Sequence, residues 1–494
     1  MTRDGFFNFV ISSEYMAKSI ENMLINGIDT WAPTLSVKRA VVDFYSPNIA
    51  KEIHVGHLRS TIIADTLARL LEYSKVEVLR RNHVSDWRTQ LGMLIEYLFE
   101  EFPGSANTAV TTFKHLQYCY TKSKEKFDKD PDFKEKAQLA VVRLQGGDPD
   151  YVQVWAKICE ISRTETTEVT QRLQVELEEK GESFYKPYIS NMIEELTIKG
   201  FVEEIDGALF ISIKDLKTPL MLVKRDGAFT HIATEMAALW YRRNEEKAEW
   251  IIYVTDAGKR QHFDKLFKVA RKAGWLPAND IAYPRASHVG FGVVRAQNGK
   301  RIRRCRYSER FRLVQLLDVA KNRSKVALIE RGKAKDWTLE ELDQTAEAVG
   351  YSAVKFADLK NNRLTSYTFS YEQMLCDKGK TAVYLHYAHA RICSIIKNSG
   401  KDIDELKKAG KIALDHADER ALGLRLLRFS ETVEEACTNL LPHVLCEYLY
   451  GLSKQFSKFY SNCPETSRLL LCEATAIVMR KCFHLLGITP VYKL

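Results

Sequence analysis

The sequence has few of the residues that interrupt secondary structure. Glycine (24) and proline (12) fill about 7% of its 494 residues, against ~12% in average usage, which excludes a collagenous, low-complexity or linker-dominated chain. No uncharged apolar run approaches the ~18 residues of a membrane span, and the most apolar stretch, RLLLCEATAIVM at 468–479, is broken by Glu473. No membrane partner is expected. The ten cysteines form no C-x-x-C pair, so neither a disulfide framework nor a structural metal is expected, and a reducing compartment follows. The opening MTRDGFFNFVISSEYM carries Asp4 and Glu14 and lacks a basic start, an apolar core and a small-residue cleavage site. It reads as neither a secretory signal nor a transit peptide. The expected location is the cytoplasm, with an organelle left open should a presequence precede the chain.

What is present belongs to a globular protein: 45% hydrophobic and 28% charged residues, with a formal net charge of +9. At ~150 residues per domain the length suggests about three domains. The positive excess fits ordinary solubility and a polyanionic partner equally well. Residues 40–45 (AVVDFY) read as a buried strand ended by Ser46-Pro47-Asn48, and helical periodicity runs over 57–73. A second strand–helix unit starts at WIIYVT (250–255), with its helix over 261–273 stopped by Gly274. Two such units predict a parallel sheet with crossovers. Between them, 112–181 is charged and helical, with a long helix expected to end at Gly181. Past Gly299 the pattern is helical to the end: Thr338-Leu-Glu-Glu341 has the form of a capping box, with Gly350 at the other end of its helix. Leu445, Tyr448, Leu452, Phe456 and Phe459 form one apolar stripe.

The sharpest chemical signal is His54-Val55-Gly56-His57, where the first strand has ended and its helix begins. A helix N-terminus presents free N–H groups and a positive dipole end to phosphate. Gly56 lets a base or phosphate approach the backbone, and two imidazoles can donate to the charge on a departing pyrophosphate. A metal site would need a third ligand at protease spacing, which is missing. A second candidate is the basic run 299–306 (GKRIRRCR), with Lys300 and Arg301. It is either a solvated face or a clamp on triphosphate oxygens. Lys51, in the loop before His54, adds a further charge.

The run SPNIAKEIHVGHLRSTII (46–63) resembles the signature of arginyl-tRNA synthetases. NHVSDWRTQLGMLIEYL (82–98), KRDGAFTHIATEMAALWYR (224–242), WIIYVTDAGKRQHF (250–263), VALIERGK (326–333) and YLHYAHARICSI (384–395) resemble successive segments of that family, above all of its plant-type members. The resemblance implies an α/β Rossmann catalytic domain of the HIGH-type class I synthetases with a helical insertion, followed by an all-α anticodon-binding bundle. The expected division is a remnant of an N-terminal tRNA-binding domain at 1–37, a catalytic domain at 38–345 with its insertion at about 105–215, and the bundle at 346–494. It further implies an arginine–tRNA ligase using ATP and Mg²⁺ to activate L-arginine and transfer it to tRNA(Arg), acting as a monomer. His54 and His57 are the implied catalytic pair. Lys51 is implied to stand in for the lysine of a degenerate KMSKS loop, and His54, Gly56, His57, Lys300 and Arg301 to hold ATP.

A guanidinium calls for a bidentate carboxylate in a dry pocket. The family pattern assigns Asp43, Ser46 and Asn48 to the amino acid, and places a Tyr, an Asp and a Gln where this chain has His231, Glu235 and Lys259. It also has glycines where Ser85 and Arg88 stand, and Phe where Leu91 stands. A second reading therefore accompanies the first: a synthetase-derived tRNA-binding protein that has lost arginine selection. A smaller nucleotidyltransferase sharing His-x-Gly-His does not account for the long helical C-terminus. From position alone, His54→Ala is expected to leave stability almost unchanged.

Overall fold

The computed structural model describes residues 10–279, 281–300, 302, 312–462 and 468–494. Its strands are β1 (Arg39–Asp43), β2 (Glu77–Asn82), β3 (Glu178–Glu179), β4 (Val202–Ile205), β5 (Ala208–Ile211), β6 (Leu220–Val223), β7 (Trp250–Asp256), β8 (Arg285–Phe291), β9 (Val294–Arg295) and β10 (Tyr367–Thr368). Five of them form a parallel sheet in the order β3-β2-β1-β7-β8. The chain leaves β1 toward β2 on one side and returns as β7 on the other, so the strand order reverses between β1 and β7. In open parallel sheets that switch point, beyond the carboxyl ends of the strands, is where ligands bind.

The sheet is covered on both faces, as a parallel sheet must be. Ala40, Val42, Trp250, Ile252 and Val254 face a core shared with the Val55–Tyr73 helix and the C-terminal helices. Val41, Ile251 and Tyr253 face a second core shared with the segment between the two strand–helix units. The five residues of the expected stripe, Leu445 to Phe459, are all buried on the His443–Asn462 helix. The helix after β7 runs Arg260–Lys272, and Gly274 has the left-handed φ of a stop signal, +78°.

Four sequence expectations need correcting. The long helix ends at Arg172, not Gly181. Gln174 turns left-handed, and Glu178–Glu179 becomes an edge strand on β2 because Arg81 pairs with Glu178 at 2.5 Å. Local propensity favours helix for such an acidic run; a cation distant in sequence overrides it. The inserted segment is not wholly helical, since 202–223 forms the antiparallel sheet β4-β5-β6. Gly350 does not end its helix, which runs Leu339–Leu359 from the Thr338/Glu341 capping box straight through position 345. A Cβ there would lie 2.8 Å from the Ala320 backbone, so Gly350 lets two helices approach closely. Nor is the chain purely helical after Gly299, since β10 pairs with β9.

The helical C-terminal part buries a titratable group. His386 has 0% exposure, stacks on Phe483 at 5.2 Å, and among the described residues neither ring nitrogen has a hydrogen-bond partner. Burial pushes its pKa from 6.5 to about 3. Between those values the unfolded chain binds the proton and the folded one does not, so stability is full above pH 6.5 and is lost as pH falls through the window. His83 and His288, each lowered by burial to about 4, act in the same direction. The melting temperature should therefore drop between pH 7 and 5, and His386→Phe should flatten that slope. Parallel slopes for the two proteins would refute this account.

Candidate active site

The loop from Tyr45 to Ala50 leaves β1 in an unusual conformation: Tyr45, Ser46 and Ala50 have φ of 71°, 41° and 59°. Such backbone costs free energy and persists only where the surroundings enforce it. Here Ser46 N donates to Asn82 Oδ1 at 3.0 Å, Ser85 N to the Pro47 carbonyl at 3.2 Å, and Ala50 N to Ser162 Oγ at 3.1 Å. The Val55–Tyr73 helix starts directly behind this loop.

His54 is the N-cap of that helix. Its Nδ1 accepts from Gly56 N at 3.1 Å, while His54 N donates to Nδ1 of His57, also at 3.1 Å. This is a capping box built from two histidines. With Nδ1 of each ring used as acceptor, each neutral imidazole carries its proton on Nε2. The rings lie 4.1 Å apart and both border the main cavity. The tightest neighbour of Gly56 is His54 itself, whose Cε1 would lie 2.9 Å from an added Cβ; the glycine thus makes room for the capping ring. Because His54 is a cap, the expectation of almost unchanged stability for His54→Ala does not hold. Loss of a cap costs about 0.5–2 kcal/mol.

The cavity, about 300 Å³, lies at the carboxyl ends of β1 and β7 and is bordered by Asp43, Ser46, Asn48, Glu235 and Lys259 as well as by the two histidines and Gly56. These residues, far apart in sequence, converge as the resemblance implied. The charges are already engaged with one another. Asp43 Oδ2 lies 2.6 Å from the Arg242 guanidinium, both side chains being buried, and Asp43 Oδ1 accepts from Ser46 Oγ at 3.2 Å. Glu235 contacts Nε2 of His262. Burial would push its carboxyl up, but the hydrogen bond and positive field of His262, with His83 and His231, hold it down at about 2.

Other expected residues lie elsewhere. His231 does not border the cavity; it occupies the first position of the His231–Asn244 helix, exposed, with its ring 5.7 Å from that of His262. It is His262 that contacts Glu235, with His231 stacked on the His262 ring. Lys51 sits beside a smaller pocket with its Nζ over the Tyr120 ring at 5.3 Å. Lys300 stands on an exposed turn after β9, away from the cavity, and Arg301 lies outside the described residues. His83, Arg242, Tyr253 and His262 were not anticipated, although all border the cavity. For His262 a signal existed: it follows Lys259 by three residues at the start of a helix, and so shares its face.

The family of class I (R) tRNA synthetase catalytic domains matches residues 19–371, and the DALR anticodon binding domain matches 385–494. The chain is 72% identical to the cytoplasmic arginine–tRNA ligase of Arabidopsis thaliana over 99% of its own length and 84% of the relative's. The chloroplastic/mitochondrial ligase of the same plant is also 72% identical, with 99% and 77% covered. The chain belongs to the arginyl-tRNA synthetases. Among solved structures, the arginyl-tRNA synthetase of Plasmodium falciparum superposes with a TM-score of 0.84 at 34% identity, covering 98% of this chain and 83% of that one. As a class I arginyl-tRNA synthetase the chain uses ATP. Its relatives include a cytoplasmic and an organellar form, and among the described residues no helix is long and apolar enough to cross a membrane.

A further synthetase segment contributes to the cavity wall. The 82–98 segment provides His83, Ser85 and Arg88; Leu91 is buried behind them. Arg59, one turn into the signature helix, is buried. It donates to the carbonyls of Gly292, Arg363 and Thr365 at 2.6, 3.2 and 3.0 Å and pairs with Asp358 at 3.4 Å. It ties the helix carrying His54 and His57 to the strand end that leads into the basic run and to the Leu339–Leu359 helix.

Proposed function

We propose that the chain activates L-arginine with ATP and transfers the arginyl group to the 3′-terminal adenosine of tRNA(Arg). In the first step the arginine carboxylate attacks the α-phosphorus, the bond to the bridging oxygen breaks, and pyrophosphate leaves. Charge builds on the phosphate oxygens as this happens. The single observation that carries the reading is the double-histidine capping box, which holds both imidazoles at a helix N-terminus on the rim of the cavity. Donors fixed before the reaction stabilise developing charge without reorganising. His54 and His57 are thus assigned to catalysis and, with Gly56, to ATP. Mg²⁺ bound to the nucleotide would supply charge neutralisation at its phosphates. Lys51, Lys300 and Arg301 are assigned to the outer phosphates on the family pattern.

For the amino acid, Glu235 is the carboxylate assigned to the guanidinium. Asp43 acts through Arg242 and Ser46, while Ser46 and Asn48 sit toward the backbone end, with Lys259 opposite the α-carboxylate. His231 contributes through the His262 ring against which it stacks. The helical part after about 346 is assigned to the anticodon and the insertion to the acceptor end. The eight described cysteines are free thiols, which suits a cytoplasmic setting.

The direct test is pyrophosphate exchange with ATP, L-arginine and tRNA(Arg). Exchange dependent on all three is expected; a folded sample that binds tRNA and catalyses none would favour the binding-only reading.

A further inference from the structure

The cavity that receives L-arginine in the reading above already contains a guanidinium of the chain's own. Arg88, the N-cap residue of the Thr89–Glu101 helix, borders the cavity together with Glu235. Its Nε donates to Glu182 Oε1 at 2.5 Å. Glu182 is only 1% exposed whereas the Arg88 side chain is 34% exposed, so the pair is anchored in the protein while the guanidinium reaches the cavity surface. The field at Arg88 includes Glu235 as well as Glu182. Three permanent cations, Arg88, Arg242 and Lys259, stand in the wall against Asp43, Glu235 and Asp256. Of these carboxylates, Asp43 is taken by Arg242 and Asp256 Oδ1 accepts from Gly258 N at 2.8 Å. An entering guanidinium thus meets Glu235 in a wall that already carries the guanidinium of Arg88.

We propose that Arg88 lowers the arginine affinity of this enzyme, its guanidinium repelling that of the substrate within the cavity. This rests on the reading of the cavity as the arginine subsite. Like charges at close range in a partly desolvated site repel strongly, and the repulsion acts on the charge of the substrate, not on its shape. Removing Arg88 alone would leave Glu182 buried without a counter-ion, so the informative variant is Arg88→Gly with Glu182→Gln, which removes both charges together.

The experiment is calorimetric titration of the parent and the double variant, each with tRNA bound, using L-arginine and its uncharged isostere L-citrulline, with melting curves to establish folding. The variant should bind arginine at least tenfold more tightly while citrulline affinity stays within twofold. In exchange assays KM for arginine should fall likewise and KM for ATP stay unchanged. Equal tightening for both ligands would mean that Arg88 merely fills space, and would overturn the proposal. Unchanged arginine affinity, or no arginine binding by the double variant, would overturn it as well. Tighter arginine binding without exchange in either protein would uphold the role of Arg88 and sink the ligase reading instead.

Discussion

Replacing His57 by alanine should lower the rate of pyrophosphate exchange by two to three orders of magnitude while the protein stays folded. The expectation follows from the loss of one pre-oriented donor to the transferring phosphoryl group, an effect worth about 10²–10³ in rate where such donors have been removed. His57 also accepts from His54 N, so its loss frees one helix-terminal N–H and costs about 1 kcal/mol, as for other caps. His54→Ala should behave similarly, with the larger stability loss because His54 is the cap itself. His54→Asn separates the two roles: asparagine caps a helix well, so stability should return while most of the rate loss remains. Exchange kinetics paired with thermal melting would decide it, and a rate loss under tenfold in His57→Ala would falsify the assignment.

Asp43→Asn should cost about 3–5 kcal/mol of stability, the range for removing one partner of a buried ion pair. Arg242 is 0% exposed, lies 5.2 Å over the Tyr253 ring, and depends on Asp43 for its counter-charge. Without the carboxylate the guanidinium stays buried and uncompensated. Adding Arg242→Met should recover most of the loss, because an apolar side chain of similar length leaves no charge behind. Denaturant unfolding of the parent, the single and the double variant measures the coupling directly. If Asp43 acted only as a carboxylate for the substrate, the single variant would unfold like the parent and lose only arginine affinity.

The contrast between these two residues shows how much of the site is legible in a sequence. His54 and His57 were readable because their geometry has a local cause: a strand end, a helix start and a three-residue spacing bring the rings together whatever surrounds them. Asp43 was readable as a pocket residue but its partner was not, since Arg242 lies about two hundred positions away. His231 and Glu235 were expected on one helix face; in the structure it is His262, from another helix, that contacts Glu235, with His231 stacked on its ring. The resemblance located the pocket, and spatial neighbours then chose which charges cancel within it.

The same division runs through the fold. The 40–45 run forms a strand that ends early, at Asp43, whereas the Thr338/Glu341 capping box, the stop at Gly274 and the Leu445 to Phe459 stripe follow from interactions within one or two turns of the chain, and each appears where local chemistry places it. The strand at Glu178–Glu179, the passage of a helix through Gly350 and the pairing of Asp43 and Glu235 in the cavity do not. Each depends on a group brought near by packing: Arg81 for the acidic strand, the Ala320 backbone for Gly350, and Arg242 and His262 for Asp43 and Glu235. Hydrophobic period and capping act over about four residues and can be read along the chain, whereas burial strengthens ion pairs between residues that only folding makes neighbours.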